Sequence, residues 1–291
     1  MKILSLYTIY NPDEKLLEQS IQKTQNSVDK IWISDNSAIE HSYLSTLSNK
    51  IVYFHFNKNV GIAEGQNGGI KYAIDNGYDL ILFFDQDSCF DLHFINKLLN
   101  NYIIIKKIDP NMCAIGPMAI NRDSKQILNK QNNIKMISIK GKLYYEISAM
   151  MSSASLVEVD AFKKAGLMDE SLFIDNVDYE WSWRCRYLLH KKLYITTDCI
   201  LEHQLGEGDF NFCGLNFHKP SIFRMYYQYR NYVLLMKRRY VPLKWKLRET
   251  SKCLIKIILW RFIYKDKKYF KQMLHGIRDG LFTHKPRYIQ N

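Results

Sequence analysis

The chain is poor in several features that would assign a protein to a class at once. Its six cysteines (Cys89, Cys113, Cys185, Cys199, Cys213 and Cys253) lie far apart with no C-x-x-C pair. That spacing argues against a zinc ribbon or a small disulfide scaffold and predicts reduced thiols, as in a cytosol. Long hydrophobic runs are also scarce. The N-terminal run Ile3–Tyr10 is too short for a signal-peptide core and passes straight into Asn11-Pro12-Asp13, so it reads as a first strand. The C-terminal run Ile257–Trp260 falls far short of the roughly 20 residues that span a bilayer. No internal repeat is apparent. Acid is scarce only at one end: residues 219–291 hold 19 Lys/Arg against three acids, leaving 22 basic and 26 acidic residues in 1–218. The net charge of +12 is therefore a property of the tail.

The 291 residues, 47% of them hydrophobic, suffice for one large core. Apolar runs Ile3–Ile9, Lys30–Ser34, Ile51–His55 and Leu80–Phe84 alternate with helix-like stretches, the first opened by Asn11 as cap and Pro12 at the first helical position. Strands separated by helices predict an α/β fold with a mostly parallel sheet. The polar stretch 118–143 reads as a loop, followed by strands at Leu143–Ser148 and Leu156–Val159. A helix over Tyr179–His190, apolar on Trp183, Tyr187 and Leu188, then leads to two short strands, Leu193–Thr196 and Cys199–Leu201. The expected organisation is a ligand-binding catalytic domain over 1–218 and a basic, aromatic helical extension over 219–291.

Each early strand ends in polar or small residues, and in open α/β sheets ligands bind beyond the carboxyl ends of the strands. The segment Asn57–Gly69 carries four glycines between a strand and a helix. It suits either close approach of backbone and helix N-terminus to a phosphate or simply a tight turn. Asp35-Asn36-Ser37 could hydrogen-bond a pyrimidine, or cap the next helix.

Two acidic clusters carry the chemistry. Asp85-Gln86-Asp87-Ser88 directly follows the five apolar residues Leu80–Phe84. In an extended D-x-D both carboxylates face the same side and can approach one hard cation, which would offset the charge of a diphosphate leaving group. Some ninety positions later, Asp175-Asn176-Val177-Asp178-Tyr179-Glu180-Trp181 opens a helix with more acid and aromatic character than capping requires. Asp178 is assigned as the general base for an acceptor hydroxyl, with Glu180 and Trp181 shaping the acceptor pocket. His203, at a strand end before Gly206, could complete a metal shell.

With these residues in view the chain resembles the inverting glycosyltransferases of family 2, most closely their bacterial rhamnosyltransferase-like branch. The resemblance covers roughly residues 3–235. It is carried by Thr8-Ile9-Tyr10-Asn11-Pro12, Asp35-Asn36-Ser37, Asn59-Val60-Gly61 with Asn67-Gly68-Gly69-Ile70, and Asp85-Gln86-Asp87-Ser88. Downstream it continues in Met168-Asp169-Glu170, Asp175 with Val177–Trp181, His203 with Gly206, and Arg224–Tyr227 with Arg230-Asn231. It implies a GT-A fold, a nucleotide-sugar donor, a divalent cation (Mn²⁺ or Mg²⁺) and single-displacement inversion. It further implies that Thr8, Tyr10, Asn11, Asp35, Asn59, Gly61, Asn67, Asp85 and Gln86 hold the donor, and that Asp87 and His203 ligate the metal with Asp85 assisting. Ser153 falls on the acceptor side, within Met151–Ser155, where relatives carry a Ser-Gly step.

Donor expectations are dTDP-L-rhamnose first, then a UDP-hexose or UDP-galactofuranose; the acceptor is expected to be a saccharide, polyprenyl-linked, in cell-surface polysaccharide synthesis. The tail interleaves Tyr, Trp, Phe, Ile and Leu with Lys and Arg. It suits peripheral binding to the anionic inner face of the cell membrane, where each basic residue contributes about 1 kcal/mol; a solvated face or a homodimer contact are its alternatives. A protein that binds nucleic acid through this tail is the competing class, and it leaves the D-Q-D strand end without a purpose.

Overall fold

The computed structural model describes residues 1–121, 125, 127, 135–203, 209–212, 215–218, 221–263 and 266–282, with backbone alone at 203, 209–212, 215–218 and 263. The N-terminal half runs β1 (Ile3–Ile9), α1 (Glu14–Thr24), β2 (Lys30–Asp35), β3 (Ile51–His55), α2 (Gly61–Asp75), β4 (Leu80–Asp85) and α3 (Phe94–Ile108). It continues through β5 (Met112–Asn121), β6 (Lys135–Ile139), β7 (Lys142–Ile147), β8 (Leu156–Glu158), α4 (Val159–Ala165), α5 (Val177–Leu189) and β9 (Lys192–His203). These strands form one sheet in the order β3-β2-β1-β4-β8-β5-β9-β7-β6. Strands β1 to β4 are mutually parallel where they pair, and β8 runs antiparallel between β4 and β5. Because β9 is parallel to β5, the carboxyl ends of β1, β2, β4, β5 and β9 share one edge of the sheet.

The apolar composition of β1 and β4 follows from burial on both faces. One core packs α2, α4 and α5 against the sheet, the other packs α1 and α3 on the opposite face. Four expectations are corrected. Helix α1 is capped by Asp13, whose carboxylate accepts from Leu16 N at 3.1 Å, while Asn11 turns the chain at φ 45°. The loop expected over 118–143 instead carries the end of β5 and the hairpin of β6 and β7. The two strands expected after α5 are one strand, β9, with a register shift against β5 between Pro117 and Met118. On α5 Trp183 is buried as expected, but Tyr187 and Leu188 are exposed, because the packed stripe runs through Val177, Trp181, Arg184 and Cys185.

Beyond the sheet, a hairpin of β10 (Asp209–Phe212) and β11 (Leu215–His218) precedes α6 (Ile222–Met236), α7 (Leu243–Ile258) and α8 (Lys267–Phe282). Leu234, Leu235, Val241 and Trp245 join the core built by α2, α4 and α5, so the basic extension is packed onto the sheet domain. No helix among the described residues is long and apolar enough to cross a membrane.

Candidate active site

A cleft of about 470 Å³ opens along the edge where the parallel strands end. Its floor and first wall come from Thr8 near the end of β1 and Tyr10 just after it, Asn36 after β2, Asn59, Gly61 and Gln66 around the start of α2, and Asp85, which ends β4, with Gln86. The opposite wall comes from Ser152 and Ser153, from residues 173–178 leading into α5, and from Phe223 and Arg224 of α6. Strand register sets the first wall: Thr8 pairs with Asp85 across β1 and β4.

The Asp85–Ser88 segment is a turn, not the extended strand expected. Asp85 N donates to Ser88 Oγ at 3.0 Å and Ser88 N returns a bond to the Asp85 carbonyl at 3.2 Å. Gln86 is held by the Tyr10 N–H, which its side-chain oxygen accepts at 2.7 Å, and Asp87 projects to solvent outside the cleft lining. The amides that open α2, expected to be free for phosphate, are already engaged: Ile62 N and Ala63 N both point at the Phe173 carbonyl, at 2.8 and 3.4 Å. This close approach requires Gly61, which lies at φ 84° and where a Cβ would stand 2.6 Å from that carbonyl oxygen. Three buried polar atoms on the same wall, Thr8 Oγ1, Asn36 Oδ1 and Gln66 Oε1, have no hydrogen-bond partner among the described residues. Buried polar atoms are normally paired, so orphans lining a cleft mark a ligand's place.

Asp178 stands on the first turn of α5. Its Oδ2 accepts from Ser152 N at 3.1 Å and its Oδ1 from Tyr179 N at 2.8 Å. Burial pushes its pKa up to about 6; the two backbone N–H groups oppose the rise and the Asp85 charge adds to it. Asp85 and Asp178 therefore feel one another across the cleft. The loop before Asp178 is strained: Phe173, Asp175 and Asn176 all have positive φ, at 62°, 65° and 63°. It is held by α6, where the buried Asn231 amide donates to the carbonyls of Leu172, Ile174 and Asp175 at 2.9, 2.6 and 3.0 Å. Arg224 pairs with the Asp175 carboxylate on the cleft side.

Several expected site residues lie elsewhere. Asp35 is fully buried, its carboxylate taken up by Ser37 N, Tyr53 OH and His41 Nδ1 at 2.6 to 2.8 Å. Burial alone would raise its pKa, but these bonds outweigh it and hold the carboxyl below the usual range. Asn67 ties α2 to the Met168–Glu170 segment, and Asn11 N donates to Ser37 Oγ, so both shape the wall from behind. Glu180 and Trp181 are buried beneath the cleft: Glu180 binds Arg184, Arg238 and Tyr240, and Trp181 stacks on Phe162. Their charge and aromaticity serve packing, because on α5 they face the core while Asp178 faces outward. The backbone of His203 ends β9 near the Asp85 turn, next to the pairing of Glu202 with Cys89, and its side chain lies outside the described residues. Among the described residues no group of three metal-binding side chains occurs.

Of the cleft residues that sequence reasoning left without a role, Gln66 follows Ile62 by one helical turn, and both line the cleft. Phe173 acts through its carbonyl, which no side-chain pattern announces.

A family model described as glycosyl transferase family 2 matches residues 7–166. A Shigella flexneri protein named dTDP-rhamnosyl transferase RfbF is 33% identical over 291 residues, which is 96% of this chain and 95% of that protein. Two solved structures share the fold. GalNAc-T7 with UDP, GalNAc and Mn²⁺ superposes with a TM-score of 0.56 at 14% identity, over 91% of this chain and 57% of that one. S. aureus TarS superposes with a TM-score of 0.58 at 12% identity, over 97% of this chain and 49% of that one. At such identities the likeness is one of architecture, the GT-A arrangement that the sequence blocks implied.

Proposed function

The chain belongs to glycosyl transferase family 2 and is a glycosyltransferase, and from that premise we propose that it moves L-rhamnose from dTDP-L-rhamnose to a saccharide hydroxyl with inversion. The observation that carries the mechanism is the Asp178 carboxylate, facing Asp85 within one cleft. The donor lies along Thr8, Asn36 and Gln66, whose orphaned polar atoms suit a nucleoside, and past Asn59, with the diphosphate toward the Asp85 turn. The acceptor enters from the side of Ser153 and Arg224. Asp178 accepts the proton of the acceptor hydroxyl as that oxygen attacks the anomeric carbon, and the nucleoside diphosphate departs from the opposite face. A raised pKa suits a base that must hold a proton at the end of the step.

The carboxylate oxygens of this edge fit a hard divalent cation, since the Asp85 charge stands close enough to act on Asp178, beside the place assigned to the diphosphate. Asp85 and Asp87 would hold it, with His203 the third candidate. When bound it neutralises charge on the leaving diphosphate. The dTDP-rhamnosyl relative supports the donor; a UDP-linked hexose is the alternative within the same chemistry. The exposed faces of Leu243, Leu247, Leu254, Ile258 and Phe262, next to Lys244, Arg248 and Arg261, support peripheral attachment to an anionic membrane and a lipid-linked acceptor.

The test is Asp178→Asn assayed with dTDP-L-rhamnose. Transfer is expected to fall by roughly a thousandfold while dTDP affinity is unchanged; wild-type turnover in this variant would refute the assigned base.

A further inference from the structure

A second cavity, of about 260 Å³, lies on the other side of the strained Asp175–Asn176 loop, between α6 and α7. Its walls are aromatic and polar: Tyr229 and Tyr232 from α6, and Trp245, Glu249, Lys252 and Lys256 from α7. Asp175 and Asn176 line both this cavity and the main cleft, so it stands directly beside the place from which Asp178 acts.

Two of its groups lack partners. The hydroxyl of Tyr229, a residue only 4% exposed, has no hydrogen-bond partner among the described residues. Lys256 is half-buried and, among the described residues, forms neither an ion pair nor a hydrogen bond, whereas its neighbour Lys252 is paired with Glu249 at 2.9 Å. Burial, then the Lys252 charge, pull the Lys256 pKa down, against the weaker pull of Glu249, Cys253 and Asp175. A desolvated ammonium without a counter-ion is costly, and the cavity beside it has room for one.

We propose that this cavity is an acceptor subsite that takes a saccharide residue bearing an anionic group, the sugar packing against Tyr232 and Trp245 and the anion pairing with Lys256. The proposal rests on the glycosyltransferase assignment and adds the chemistry of the acceptor. Aromatic faces suit the C–H side of a sugar ring, Tyr229 and Glu249 suit its hydroxyls, and a single free ammonium suits one phosphate or carboxylate. The anion could be the phosphate that links a saccharide to its carrier or the carboxylate of an acidic sugar.

The test is a titration of the full chain in EDTA, followed by tryptophan fluorescence, with α-D-glucose 1-phosphate, glucuronate and glucose. Saturable binding of a charged sugar is expected, weakened about tenfold in Lys256→Met and largely restored in Lys256→Arg, with glucose at least about tenfold weaker. Tighter binding of the phosphate points to a carrier-linked acceptor, and tighter binding of glucuronate to an acidic sugar. Affinity for dTDP with Mn²⁺ is measured separately and should be the same in all variants, so that loss of nucleotide binding bears on the donor cleft alone. No charged-sugar binding, equal binding of glucose, or unchanged binding in Lys256→Met would overturn the subsite.

Discussion

At the scale of single residues the account turns on Asp178. Its pKa of about 6 predicts that kcat/KM falls as pH drops through that value, because the base must be ionised. Stability runs the other way. A carboxyl whose folded pKa is raised favours folding at low pH and loses that contribution as pH rises through about 6. The ionised form at pH 8 therefore costs up to about 3 kcal/mol, and Asp178→Asn should melt higher than wild type at pH 8, with the gap closing toward pH 4 in parallel thermal scans. Ala154 is strained as well, fully buried at φ 55° in the turn closed by Ser155 N on the Ser152 carbonyl at 2.9 Å. The missing glycine of the Ser-Gly step is thus felt at Ala154, one residue beyond Ser153. Ala154→Gly should stabilise by about 1 kcal/mol in denaturant unfolding. Asp85 and Asp178 were legible because apolar runs and helix starts mark where carboxylates emerge. Glu180 was not, since a sequence does not say which face of α5 meets Arg238 and Tyr240.

At the scale of elements, the cleft wall that leads into α5 is a loop that does not hold itself. Its positive dihedrals persist because α6 supplies Asn231 and α2 supplies amides to the Phe173 carbonyl. Asn231→Ala leaves three carbonyls short of a donor, and should cost about 1–3 kcal/mol in urea unfolding and depress kcat more than donor affinity. Beneath the loop, Arg238 joins Asp169 and Glu180 in a buried ionic network that ties α5 to the turn after α6. Arg238→Met strands the buried Asp169 carboxylate, while Glu180 keeps Arg184 and Tyr240, and should cost about 3–5 kcal/mol by the same measurement. Strand positions could be read from apolar runs; the start of α2 at Gly61 could not, since Asn57–Gly69 reads as lying before the helix. The capping of α2 by Phe173 could not, because it is a contact between residues more than a hundred positions apart in sequence.

At the scale of the molecule, acid and base are segregated: residues 219–291 carry an excess of +16, and α6 and α7 within them pack against the slightly acidic sheet domain. The outer face of α7 carries exposed Leu247, Leu254 and Ile258, while its inner face reaches the core through Trp245. Vesicle flotation should show binding to anionic liposomes that weakens with salt and is lost when Leu247, Leu254 and Ile258 become serine; binding indifferent to both would remove membrane attachment. The α/β class and a cleft at the strand ends were legible, and so was a strand at Leu156–Val159, whereas its antiparallel place between β4 and β5 was not, because an apolar run carries no sign of direction or neighbour. The most direct measurement of the whole account is a crystal structure with dTDP and Mn²⁺, the metal located by its anomalous scattering. The account predicts the nucleotide along Thr8, Asn36 and Gln66, manganese between the diphosphate and the Asp85–Asp87 turn, and Asp178 open on the acceptor side. A nucleotide bound elsewhere, or an Asp178 carboxylate turned away from the diphosphate, would contradict it.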